Sequence, residues 1–304
     1  MKKQNNQQFG KKNINKKILF ISIAILIIGL LFNKFRHSLF ITRPDRLNLV
    51  FYGQNTTFYS LDLENRIHYR INFSPDIRLI VPGGYDEYRV GSLGKLIKLE
   101  NKPKLLRQTF SAALSNFVHL YFYPDNNLIY QQENNYSKSL PSIKQLIANK
   151  SNAGWLDRLY LFILFFIQGR EINQNIASLV VTDKDNDRVW QREDFMKKYL
   201  GYWYSKDLRQ ERAAAQVIYH ENYRTALLLS NTIEGNGVKV VDLSENTQNT
   251  TNNICLVEYK NISVIKTVNA IASFFHCEIR KVETGSVDII IRLNRLEKEW
   301  EIDD

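Results

Sequence analysis

The run ILFISIAILIIGLLF, from Ile18 to Phe32, constrains this chain more than any other stretch. As a helix it is about 22 Å long, short of the roughly 30 Å hydrocarbon core of a bilayer. Lys16 and Lys17 can snorkel at one end, and Phe35 with Arg36 can extend the other. No small-x-small cleavage site follows, because the chain continues NKFRHSLF. That disfavours a cleaved signal peptide. A buried core helix fits poorly beside a lysine-rich tail. Residues 18–35 are therefore expected to form an uncleaved transmembrane anchor. Lys2, Lys3, Lys11, Lys12, Lys16 and Lys17 precede it, and no acidic residue appears before Asp45. The lysine bias expects residues 1–17 to be a basic cytoplasmic tail, with the rest of the chain extracytoplasmic. Lys34, Arg36, Arg43 and Arg46 weaken that bias without reversing it.

The chain has 304 residues and a formal net charge of +10. Such a charge suggests anionic partners. The remainder of the chain carries no long Lys/Arg run, so nucleic acid is not expected as a partner and membrane lipid is. Hydrophobic residues make up 44%, enough to build packed cores in one large domain or two smaller ones.

Beyond the anchor, Leu47–Tyr52, Thr57–Leu63 and Arg66–Asn72 read as strands. In the third, Ile67, Tyr69 and Ile71 alternate with His68, Arg70 and Asn72. Pro103 opens a helix whose apolar face is Leu106, Phe110, Ala113 and Phe117. Val118–Tyr123 returns to strand, and Pro141–Lys150 reads as helical. Leu159–Ile167, LYLFILFFI, is apolar all round and too short to span a bilayer. A central core helix ended by Gly169 is the favoured reading, and a helix lying on a membrane is the alternative.

From residue 208 the texture changes. Strand Gln216–His220, helix Asn222–Glu234, strand Val238–Leu243, strand Ile254–Tyr259, helix Ser263–Phe275, strand Glu278–Val282 and strand Val287–Arg292 follow in turn. This order describes a small βαββαβ-like α+β module with an extra strand. The fold class is α/β (α+β): a transmembrane helix, an α/β domain over 45–207 with a central mixed sheet, and a C-terminal domain over 208–304.

The glycine-rich stretch RLIVPGGYDEYRVGSLGKL, Arg78–Leu96, invites a phosphate-loop reading. It lacks the Walker pattern, and its spacing is wrong for a dinucleotide fingerprint. Asp86-Glu87 at its centre would repel a diphosphate. Pro82-Gly83-Gly84 reads best as a turn. No nucleophile elbow and no paired zinc spacing occurs. Asp183, Asp185, Asp187 and Asp194 fall at offsets one, three, five and twelve of a calcium loop. Arg188 stands where the tight turn needs Gly, and Asp194 replaces the longer Glu, so a plain turn is favoured. No metal is expected.

NFSPDIRLIVPGGYDEYRVGSLGKL, a following Leu-containing helix and VHLYFYP resemble the LytR-CpsA-Psr family of cell-envelope proteins. AQVIYHENYRTALLLSNTIEGNGVKVVDL, CLVEYKNISVIKTVNAIASFFHCEI and GSVDIIIRLN look like the LytR C-terminal domain. The resemblance implies binding of a polyprenyl-linked glycan or cell-wall polymer. It also implies a transferase that moves glycopolymer from a polyprenyl diphosphate carrier to peptidoglycan around a divalent metal. Two signatures depart from that pattern. Gln54, Asn55 and Thr56 stand in place of a charged Arg-x-Asp-Thr run, and Ser74-Pro75-Asp76 lacks the arginine of Pro-Arg-Asp. HENYRTA, His220–Ala226, stands where the family has a glycine turn. Diphosphate chemistry needs charge compensation, so the expectation is a degenerate relative without catalytic residues and without a cofactor. The alternative is a phosphotransferase using Asp76, Arg78 and Arg89 with Mg²⁺ or Mn²⁺. In either case Asp76, Arg78 and Arg89 are the candidate polyprenyl-phosphate contacts.

Cys255 starts a strand, and Cys277 lies just past the next helix. Strand start and helix end can meet in an α+β module, and an exported domain is in an oxidising compartment. A Cys255–Cys277 disulfide is therefore expected, with two buried thiols as the alternative.

Overall fold

A computed structural model describes residues 19–23, 29, 35, 38–125, 140–166, 170–246 and 254–302. Most of the expected anchor over 18–35 and all of the tail over 1–17 lie outside the described residues. Among the described residues no helix is long and apolar enough to cross a membrane.

The first sheet has six strands in the order β7-β6-β1-β2-β3-β8. They are β1 (Arg46–Phe51), β2 (Thr56–Asp62), β3 (Ile67–Phe73), β6 (Leu120–Tyr123), β7 (Lys150–Ser151) and β8 (Arg170–Asn173). β1, β2 and β3 run antiparallel, while β6 and β8 join in parallel. All six residues of β1 are buried, as expected of a strand covered on both faces. Leu47, Leu49 and Phe51 point into one core with Tyr59, Leu61, Leu161 and Phe165. Val50 and Tyr52 point into another with Phe58, Ile71, Phe73 and Phe110. Helix Trp155–Phe166 covers the first face, and helix Lys104–Leu114 packs in the second core.

A smaller sheet lies beside the second core in the order β5-β4-β10-β9. Its strands are β4 (Ile77–Ile80), β5 (Glu87–Arg89), β9 (Val180–Thr182) and β10 (Arg188–Trp190). The third sheet, β12-β11-β15-β13-β14, is C-terminal. β11 (Ala214–Tyr219), helix Tyr223–Glu234 and β12 (Lys239–Glu245) make one parallel unit. β13 (Leu256–Tyr259), helix Ile265–Phe275 and β14 (Glu278–Lys281) make the other. β15 (Ile289–Arg292) joins them, parallel to β11 and antiparallel to β13. The mixed α/β architecture and the order of the C-terminal elements follow the sequence reading.

Two sequence expectations are corrected. Leu159–Ile167 is not a central core helix. Helix Trp155–Phe166 buries only Leu161 and Phe165, while Leu159, Phe162, Ile163 and Phe166 are exposed. An all-round apolar sequence carries no facial signal, and the sheet covers one side only. The proposed stop at Gly169 lies outside the described residues. The second correction concerns Phe117. The helix ends at Leu114 because Ser115 adopts the left-handed conformation, φ 44°. Phe117 then leaves its own domain and stacks on Phe274 at 4.3 Å, inside the C-terminal core.

That crossing is fixed by polar contacts. Asn48 Nδ2 donates to Asn116 Oδ1 at 2.6 Å and to the Phe117 carbonyl at 3.0 Å. Asn116 Nδ2 donates to the Gly235 carbonyl at 2.6 Å and to the Trp203 carbonyl at 3.2 Å. A β-carbon on Gly235 would overlap the Ser115 carbonyl oxygen. Gly235→Ala should therefore lower stability by at least about 2 kcal/mol in chemical unfolding. Gly53→Ala, where a β-carbon meets open space, should stay within about 0.5 kcal/mol. Equal effects at the two sites would refute the joint.

Cys255 and Cys277 are joined by a disulfide, with Cα atoms 4.7 Å apart. Cys255 is fully buried in the C-terminal core, against which Cys277 packs. Denatured, unreduced protein should titrate no free thiol. Reduction should cost about 3 kcal/mol on the chain-entropy account of a loop this size. Two titratable thiols would remove the bond.

Candidate functional site

The residues singled out from the sequence converge on the four-stranded sheet. Arg78 on β4 lies directly opposite Arg89 on β5. Like charges so placed repel. Asp187, at the turn between β9 and β10, resolves the conflict. One carboxylate oxygen pairs with Arg78, and the other accepts from Arg89 Nη2 at 2.5 Å. Asp187 itself is buried. Its neighbour Arg188 donates from Nη1 to Asp76 Oδ2 at 2.9 Å, and the Ser74 hydroxyl donates to Asp76 Oδ1. Burial raises the Asp76 pKa, but the bonds from Ser74 and Arg188 outweigh it and hold the carboxyl below its ordinary value. The stability gained from that depression is present above the ordinary carboxylate pKa and lost as pH falls through the folded one. Burial first, and the neighbouring Asp86 second, push Glu87 upward.

Asp76, Arg78 and Arg89 thus lie at one small sheet, Arg78 and Arg89 joined through Asp187 and Asp76 held by Arg188. Asp187 and Arg188 were missed as partners, although the calcium-loop test had passed over both. Asp76, Arg89, Thr182, Asn186, Asp187 and Arg188 line a cavity of about 300 Å³. Three arginines face Asp76 and Asp187, and Glu87 and Asp183 lie close enough to act on the same charges, so no positive charge is in excess. The turn that presents Asp187 is held internally: Asp183 Oδ1 accepts from the backbone of Asp185 and Asp187 at 2.9 and 2.8 Å. Among the described residues no group of three or more His, Cys, Asp and Glu side chains could hold a metal ion.

The glycine turn is used by the chain itself. Gly83 and Gly84, at φ +99° and +73°, donate their N–H groups to the Glu301 carbonyl at 2.7 and 3.0 Å. The start of helix Tyr223–Glu234 is occupied in the same way. Glu297 accepts from the backbone N–H groups of His220, Glu221 and Asn222 at 2.8, 2.9 and 3.3 Å. A helix start is a natural anion site, and here the anion is a side chain of the same protein. Both features border a cleft of about 690 Å³ between the domains, whose walls include Tyr85, Lys102, Gln108 and Arg295. A second cleft of about 770 Å³ holds Arg46, Lys206, Arg209, Arg212 and Lys239. There Arg46 pairs with Asp62 at 3.1 Å and Lys206 with Glu64 at 2.5 Å.

No family model matches the chain, and no curated protein matches it. The fold is similar to solved structures of LytR-CPS2A-psr proteins. Against TagU of B. subtilis the TM-score is 0.37 at 8% identity, over 53% of this chain and 98% of that one. Against YwtF (TagT) with bound octaprenyl pyrophosphate lipid it is 0.35 at 8% identity, over 52% and 90%. Against TagT bound to LIIa-WTA it is 0.36 at 7% identity, over 52% and 91%.

Asp187→Ala removes the shared partner of Arg78 and Arg89 from the wall of the 300 Å³ cavity that Asp187 and Arg89 line. The variant should lose about 1–2 kcal/mol, because both arginines are partly exposed. It should also gain stabilisation by added pyrophosphate that the unaltered protein lacks, read as a thermal shift. Equal shifts for the two proteins would show that Asp187 does not hold the arginines away from anions.

Proposed function

We propose that this chain is a membrane-anchored, extracytoplasmic cell-envelope protein, a non-catalytic binding or assembly relative of the LytR-CpsA-Psr proteins. The observation that carries the reading is the closure of the candidate site on itself. Arg78 and Arg89 share Asp187, and Asp76 is held by Arg188 and Ser74. A transferred diphosphate needs cations or a metal to take up developing charge. The arginines of the site are already offset by Asp76, Asp187 and Glu87, and the charged early-strand motif is replaced by Gln54, Asn55 and Thr56. Loss of such a stabiliser costs several kcal/mol, on the order of a thousandfold in rate. The implied partners are membrane lipid and a polyprenyl-linked glycan or cell-wall polymer.

A phosphotransferase using Asp76, Arg78 and Arg89 is the second reading. It is favoured by the placing of Asp76 and Arg89 at one cavity, with Arg78 joined to that cavity's wall through Asp187. Under that reading Mg²⁺ or Mn²⁺ would be held largely by the substrate's own phosphate oxygens.

The test is incubation of the full chain, in detergent, with a polyprenyl-diphosphate glycan, magnesium or manganese and peptidoglycan fragments. No metal-dependent release or transfer is expected. Release that disappears in Asp76→Ala and Arg78→Ala would overturn the non-catalytic reading and establish the second one.

A further inference from the structure

Helix Trp155–Phe166 turns Leu161 and Phe165 into the core. Its other side carries Trp155, Leu159, Phe162, Ile163 and Phe166, with relative exposures of 58, 45, 38, 38 and 80%. The spacing i, i+4, i+7, i+8, i+11 is one face of an α-helix, and no charged residue stands on it. The two charged groups of the helix are both used elsewhere. Asp157 Oδ1 accepts from the Leu39 backbone at 2.9 Å. Arg158 donates to the carbonyls of Leu146, Ile147 and Asn149, closing the end of helix Ile143–Ala148. That short helix adds exposed Ile143 and Ile147, and the single helical turn Leu39–Thr42 adds exposed Ile41.

Soluble proteins rarely leave such a row of large apolar groups to water. The position of the chain's own apolar run says what covers it. Ile18–Phe32 ends a few residues before Ser38. The first residues after it are tied to this helix, through the Leu39–Asp157 bond and an edge-on contact of Phe40 with Tyr160 at 5.1 Å. A chain anchored through Ile18–Phe32 therefore emerges from the bilayer at this helix. Tethering of that kind keeps the face at high effective concentration against the lipid surface. Lys34, Arg36 and Arg43 lie on the connecting segment, where they can meet anionic headgroups.

We infer that helix Trp155–Phe166 lies in the bilayer interface, with Trp155, Leu159, Phe162, Ile163 and Phe166 among the lipids, and so fixes the orientation of the domain on the membrane. The inference rests on the anchor reading of residues 18–35. It goes beyond that reading, because a flexible tether would leave the face in water. An amphipathic helix at this depth buries its apolar side while its backbone stays internally bonded.

The experiment uses the full chain in phosphatidylcholine–phosphatidylglycerol vesicles, with and without brominated lipid. Trp155 is the exposed tryptophan, while Trp190, Trp203 and Trp300 are buried. The Trp155 contribution is the difference from Trp155→Phe, and circular dichroism checks the fold. Brominated lipid should remove most of the Trp155 emission, and aqueous iodide should leave it intact. Phe162→Asp with Phe166→Asp should reverse both responses while the chain still survives an alkaline carbonate wash. Trp155 quenched by iodide and indifferent to brominated lipid, in a chain that resists the wash, would overturn the inference and leave the anchor standing. Shielding from both quenchers would also overturn it, in favour of a second copy or of the apolar run folded over the helix. Lipid quenching in a chain released by the wash would support the interfacial helix and remove the anchor. A chain that binds no vesicle would overturn both.

Discussion

Gly235 has no side chain to spare, because the Ser115 carbonyl oxygen occupies the place where one would sit. This approach sets the spacing of the two domains. Helix Lys104–Leu114 must stop where Ser115 turns left-handed, or Asn116 would not reach the Gly235 and Trp203 carbonyls. With Asn116 in place, Phe117 is delivered into the C-terminal core against Phe274 and Phe275. An aromatic side chain from one domain buried in the core of another resists relative motion. Pulling it out would expose apolar surface and strand several buried amides at once. His119, two residues further on, accepts the Asn48 N–H through Nδ1. Burial lowers its pKa to about 4, aided by the positive charge of Arg107. A neutral His119 is thus part of the joint. Its stability is complete above the ordinary imidazole value and lost as pH falls toward the lowered one.

Much of the architecture was legible in the sequence, for a physical reason. Strands β11 and β15 and the two long C-terminal helices each bury one side, so their periodicities are clean. Helix Tyr223–Glu234 buries Thr225, Ala226, Leu228, Leu229, Thr232 and Ile233 at helical spacing. β1 and β2 are instead buried on both faces, and their content of apolar, aromatic and β-branched residues marks them as strands. Legibility failed where a decisive contact is not periodic. Phe117 extends the apolar rhythm of Leu106, Phe110 and Ala113 but lies past a left-handed residue that no pattern announces. Helix Trp155–Phe166 gave too much apolar signal to reveal a face, and only the sheet beneath it shows which side is inward.

The candidate site was half legible in a similar sense. Arginines beside glycines drew attention to Arg78 and Arg89. Their partner Asp187 stands 98 positions from Arg89. It arrives there because β10 joins β4 in parallel, pairing Arg188 with Ile77 and Val189 with Arg78. Parallel pairing across so long a connection leaves no mark in local composition. The Asp-rich segment Asp183–Asp187 was correctly read as a turn, and its second role as the anion that separates two arginines emerges only with the sheet assembled.

Among the described residues, three places suited to an external anion already hold an oxygen of the same chain. Asp187 sits between Arg78 and Arg89. The Glu297 carboxylate covers the start of helix Tyr223–Glu234. The Glu301 carbonyl takes both N–H groups of the glycine turn. A phosphate entering at any of them must displace a partner that is present at high effective concentration. Only the difference between the two sets of contacts would then appear as affinity. Self-occupation also contributes to folding, because Glu297 and Glu301 belong to the last described segment and tie it to both domains. The same contacts hold Glu297 and Glu301 in place. Internal oxygens thus take the places an external anion could occupy, and Arg78 and Arg89 stay opposite one another in the sheet because Asp187 offsets their charge.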